Sequence, residues 1–132
     1  MIKKINFKVA VNIILFFMLA VLIYHLLIIT GILPYSNTWG GRLTSYKQMI
    51  VFESISITVN IILGWIVGMK GKYFPRKISI RLINGILWFM VFIFLLNTIG
   101  NIAAISIYET LIAAPLTLLL SILCYRLVKE PN

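Results

Sequence analysis

The sequence predicts an all-α membrane protein, an antiparallel bundle of four transmembrane helices, and three observations predict it. Hydrophobic residues make up 61% of the 132 and charged residues 11%, with a mean hydropathy of +1.05. No soluble domain of this size could cover such a surface. Four apolar runs are each long enough to cross a bilayer, which takes about 20 residues of helix. The basic residues also fall at alternate ends of these runs. No linker, repeat or low-complexity stretch divides the chain, so residues 1–132 read as one transmembrane domain.

The first span is expected over about residues 9–30, after a short basic start with Lys3, Lys4 and Lys8. The run is too long for a signal peptide and lacks a small-residue cleavage pattern. Asn12 lies near its start, with Tyr24 and His25 near its end. Gly31 and Pro34 stop the helix, and Ser36, Asn37, Gly40 and Gly41 mark a loop. Tyr35, Trp39 and Tyr46 suit an interfacial aromatic belt. The second span, about 47–69, carries Glu53 and Asn60. A basic loop follows, with Lys70, Lys72, Arg76 and Lys77, in which Pro75 blocks helical continuation. The third span is expected over about 80–99, with Asn84 early and Asn97 late. Gly100-Asn101 makes a tight connection or ends that helix. The fourth, about 103–127, contains Pro115, which should kink it or free a carbonyl.

Orientation follows from the basic residues. With the N-terminus inside, Lys3, Lys4, Lys8, Lys70, Lys72, Arg76, Lys77, Arg81, Arg126 and Lys129 are inner, and Arg42 and Lys47 alone are outer. That asymmetry places both termini in the cytoplasm. The net charge of +9 then reflects topology and anionic lipid headgroups on the cytoplasmic side, rather than nucleic acid, for which no soluble basic domain exists. One cysteine, Cys124, and one histidine exclude an internal disulfide and nearly exclude a structural zinc site. No cofactor motif is present.

With this topology the strongly polar side chains collect in the outer half: His25, Glu53, Asn97, Asn101 and Glu109, with Arg42 and Trp39 in the outer loop. A carboxylate within a span marks a functional-site hypothesis because its desolvation is expensive. Arg42 is the base that Gly40-Gly41 could deliver to Glu53 or Glu109. Glu53, Ser56, Asn60 and Gly64 share one face of the second helix, and Thr110, Ala113, Thr117, Ser121 and Cys124 share one of the fourth. Small residues allow close helix approach, so the two stripes are expected to face each other. The candidate ligand-binding set is Glu53, Arg42, Asn60, Asn97, Asn101, His25, Trp39 and Glu109.

Three functions compete. The first is binding or transport of a small, partly apolar ligand in an outer-half pocket between helices. The second is a structural or regulatory membrane subunit, docking through its small-residue stripes as a homo- or hetero-oligomer. The third is an enzyme using Glu53 or His25 in proton transfer, although no nucleophile–base pair, metal motif or phosphate loop supports it.

The residues Pro34-Tyr35, Trp39-Gly-Gly-Arg42-Leu43, Phe52-Glu53, Asn97-Thr-x-Gly100-Asn101 and Ala114-Pro115-Leu-Thr117 resemble a group of small bacterial four-helix membrane proteins. That resemblance implies an architecture and no activity. More distantly, the layout is similar to the EXPERA superfamily of sterol-isomerase-like membrane proteins. Four spans, a glutamate early in the second (Glu53) and an Ala-Pro in the last (Ala114-Pro115) carry the likeness. The family's second acidic ligand, before the second helix, has no counterpart, since Arg42 and Lys47 occupy that region. Amine binding by paired carboxylates is therefore not implied. Small multidrug transporters carry their glutamate in the first helix, where this chain has none.

Overall fold

The structure, a computed structural model, describes residues 2–37, 43–105 and 107–131, and leaves the side chain of Glu109 undescribed. The four expected helices are present: α1 Phe7–Ile29, α2 Tyr46–Lys70, α3 Ile80–Ile102 and α4 Ala114–Val128. Each belongs to a segment of at least 19 residues that is long and apolar enough to cross a membrane. At 1.5 Å per residue, the 23 residues of α1 reach about 35 Å, enough for a hydrocarbon core of about 30 Å.

The helix starts follow from local chemistry. The side chains of Asn6, Ser45 and Ser79 accept from the backbone N–H groups of Val9, Gln48 and Leu82, satisfying donors that the first helical turn leaves open. At the start of α2 the Gln48 side chain reciprocates, accepting from the Thr44 N–H at 3.0 Å. Gly31, with φ +84°, turns the chain out of α1 in a conformation that other residues adopt at a cost.

Two boundaries differ from expectation. Helix α3 runs on through Gly100 and Asn101 to Ile102, so these residues end the helix rather than connect two. The last span begins later than residue 103, with a π-helical turn over Glu109–Ala113 leading into α4. Pro115 sits in the first turn of α4, where a missing N–H costs no helical bond. The widened turn directly precedes it.

Helix α1 packs against α2 and α4, and α3 packs against α4. The core is apolar, built on Val11, Ile14, Leu63, Val67, Leu87 and Leu127 among others. Much of the outer surface is apolar too: Phe16 is 66% exposed, Phe89 60% and Leu111 67%. An apolar exterior around an apolar core suits lipid as the surrounding medium.

The two small-residue stripes do not face each other. The α4 stripe is directed at α3: Ser121 Oγ donates to the Val91 carbonyl at 2.9 Å, and Thr117 Oγ1 lies 2.9 Å from Thr98 Oγ1. The α2 stripe meets α1 instead. The α3–α4 hairpin satisfies the hydroxyls of the α4 stripe.

At the end holding the termini, α1 and α2 approach closely. A Cβ built on Gly71 would lie 2.6 Å from Val11 Cγ1, a fully buried, β-branched side chain with little room to yield. Gly71→Ala should therefore destabilise the fold by about 1–3 kcal/mol, the usual cost of overpacking. Thermal unfolding in detergent measures this, and an unchanged midpoint would contradict such tight packing.

Candidate functional site

Helix α1 brings His25, and α2 brings Glu53, to one level near the end of the bundle opposite the termini. Glu53 is fully buried, and its Oε2 meets His25 Nδ1, whose side chain is 18% exposed. His25 also lies beside the Tyr24 ring, with centroids 5.9 Å apart. Arg42 and Trp39 fall outside the described residues, and so does the expected Arg42–Glu53 pair. Among the described residues, His25 is the ionisable partner of Glu53.

Seven residues further along α2, about 10 Å at the helical rise, Asn60 shares the buried face of Glu53. It is 8% exposed and its side chain makes no hydrogen bond among the described residues. In front of it lies a groove of about 490 Å³ between α1 and α2, lined by Leu15, Met18, Leu22, Gly64, Trp65 and Phe74 among others. No atom stands within 4 Å of a Cβ built on Gly64, so the floor of the groove is open. This groove lies between the His25–Glu53 level and the end of the bundle that holds the termini.

The groove is held at both ends. His25–Glu53 joins α1 to α2 at one end. At the other, Lys8 Nζ donates to the Gly71 carbonyl and Tyr73 Oη donates to Asn12 Oδ1. The Lys8 ammonium also stands 4.2 Å from the centre of the Tyr73 ring.

The remaining candidates do not converge here. Asn97 lies on the exposed face of α3, one residue out of phase with buried Thr98, so it is no anchor of this groove. Asn101 belongs to the α3–α4 contact: its Nδ2 lies 3.5 Å from Thr117 Oγ1, and its carbonyl accepts from Thr110 Oγ1 at 3.0 Å. The Glu109 side chain is not described. Among the described residues, no three of His, Cys, Asp and Glu come together as metal ligands.

Sequence reasoning put His25 and Glu53 at one depth without pairing them. The available signal was that shared depth in a chain with three acids. It read Lys70 as a topology signal at the level of the lipid headgroups, not as a buried residue. The residue is 4% exposed, and its ammonium donates to Asn84 Oδ1 at 2.9 Å and reaches the Glu130 carbonyl at 3.5 Å.

Comparison with protein-family models, curated proteins and solved structures finds no match to this chain.

Proposed function

We propose that this is a multi-pass protein of a bacterial inner membrane, with both termini cytoplasmic, that binds a small, largely apolar molecule bearing one hydrogen-bonding head. The ligand lies in the α1–α2 groove with Asn60 as its polar anchor. The observation that carries this reading is the Asn60 amide, nine-tenths buried, facing an apolar groove and lacking a side-chain hydrogen bond among the described residues. A buried polar group left unpaired costs about 1–3 kcal/mol, so such groups are nearly always satisfied. An amide offers both donor and acceptor. The groove's volume falls in the range of small-molecule sites, which combine apolar walls with few polar groups. His25–Glu53 then serves as the strap that sets the groove's width.

Trp65 lines the groove and reports on it. The chain has three tryptophans, so the other two are replaced by phenylalanine, and the protein is titrated in nanodiscs with a brominated long-chain amide. Quenching of Trp65 should exceed that by the matched brominated alkane by about tenfold in apparent affinity, one good hydrogen bond's worth. Asn60→Leu should abolish the difference, and Gly64→Leu should block the groove to both. Equal quenching by amide and alkane in the unaltered groove would refute the reading. It would favour the second one, a helix of another membrane protein seated against Asn60.

A further inference from the structure

A second cavity lies at the end of the bundle that holds the termini. It measures about 440 Å³ and is lined by Lys8, Lys70, Lys72 and Arg76, with Phe7, Phe74 and Glu130 among its other walls. Four cations thus share one cleft with one carboxylate. That carboxylate is engaged elsewhere, accepting from Arg126 Nη1 at 2.8 Å. Two of the cleft's three lysines donate to neutral acceptors: Lys8 to the Gly71 carbonyl, and Lys70 to Asn84 Oδ1 and the Glu130 backbone carbonyl. Lys8, Lys72 and Arg76 alone outnumber the one carboxylate of the cleft. Gathering like charges around a partly closed space is unfavourable unless an anion compensates them.

Lys72 adds a separate observation. It has φ 65° at the end of α2, the position where a helix stop favours glycine. Its N–H donates to the Met69 carbonyl and that of Tyr73 to the Gly68 carbonyl. A side chain with Cβ is disfavoured there, yet the residue present is a lysine pointing its charge at the same cleft as Arg76.

We propose that this cleft is a binding site for a phosphate-bearing anion. The phosphate is held by Arg76, Lys72 and Lys8 over the buried Lys70, and the Phe7 and Phe74 rings border whatever apolar part the ligand carries. Arg and Lys suit phosphate by charge and by multiple N–H donors. Basic pockets between membrane helices commonly take lipid head groups. The phosphate source is either the head of an anionic lipid or free phosphate, and the test separates them.

The full chain is placed in phosphatidylcholine nanodiscs, with and without phosphatidylglycerol, and lipids that remain bound are counted by native mass spectrometry. In parallel, inorganic phosphate is added to the phosphatidylcholine sample and the unfolding midpoint is compared with that in chloride of equal ionic strength. Retention of phosphatidylglycerol assigns a lipid head, and a phosphate-specific rise in midpoint assigns free phosphate. Either result supports the site, and neither occurring overturns it. Arg76→Gln and Lys72→Gly should each weaken the observed binding by about tenfold. Lys77→Gln, which removes the same charge outside the cleft, should change it by less than about twofold. Lys72→Gly should at the same time raise thermal stability, because glycine accepts the positive φ. Equal effects of Arg76→Gln and Lys77→Gln would show a diffuse basic surface and overturn the proposal.

Discussion

Glu53→Ala should lower the stability of the protein in detergent by about 3–5 kcal/mol, and His25→Ala by a comparable or smaller amount. Removing one member of a buried ionisable pair withdraws a charge-matched contact from the other while that group stays desolvated. The larger effect is expected at Glu53, because truncating a wholly buried side chain leaves a cavity besides withdrawing the partner, whereas the His25 side chain keeps 18% exposure. The double variant should lose less than the two single losses added together, by about 1–3 kcal/mol, since the residues are in contact. Glu53→Gln should be milder than Glu53→Ala, because an amide oxygen still accepts from Nδ1. Equilibrium unfolding of the four proteins provides the measurement. Strict additivity would show that the contact contributes no coupling, and the strap assigned to the end of the groove farther from the termini would then have to lie elsewhere.

Arg126→Met should cost about 2–3 kcal/mol. The residue is 6% exposed, and its Nε donates to the Ile5 carbonyl at 2.7 Å while Nη1 donates to Glu130 at 2.8 Å. The guanidinium also stands 5.7 Å from the centre of the Phe7 ring. It therefore joins the N-terminal turn to the last turn of α4. Hydrogen bonds to charged groups contribute about 1.5–3 kcal/mol. The Glu130 half of the arrangement is discounted because that side chain is 30% exposed and solvent screens it. Arg126→Lys should recover little, since an ammonium lacks the fork that reaches two acceptors at fixed angles. Hydrogen exchange at residues 2–8, measured beside the unfolding midpoint, locates the loss. A lysine variant as stable as the parent would show that the charge alone suffices.

Several parts of this architecture were legible in the residues because they depend on local or one-dimensional quantities. The four spans follow from apolar run lengths set by bilayer thickness. The caps that fix their starts, Asn6, Ser45 and Ser79, came from the structure. The inward direction of Glu53, Ser56, Asn60 and Gly64 follows from the helical period. The late start of α4 did not follow. Between Ala103 and Ala113 the chain is apolar enough to continue a helix, and the widened turn ahead of Pro115 marks the boundary.

Amino-acid sequence by itself determined that this chain is a four-helix bundle with helices apolar enough to cross a membrane, and that one end of it is basic. Hydropathy, period and charge are sums along the chain, and no partner needs to be known to compute them. Tertiary structure alone decided which helix each polar face meets. Rotation and pairing of helices depend on side-chain packing between distant segments, so the α2 stripe found α1 and the α4 stripe found α3. That choice gave Glu53 to His25, left the Asn60 amide over an open groove, and turned Asn97 outward one residue from Thr98. It also converted Lys8, Lys70, Lys72 and Arg76 from a run of topology signals into one cleft, because antiparallel helices return their ends to the same place.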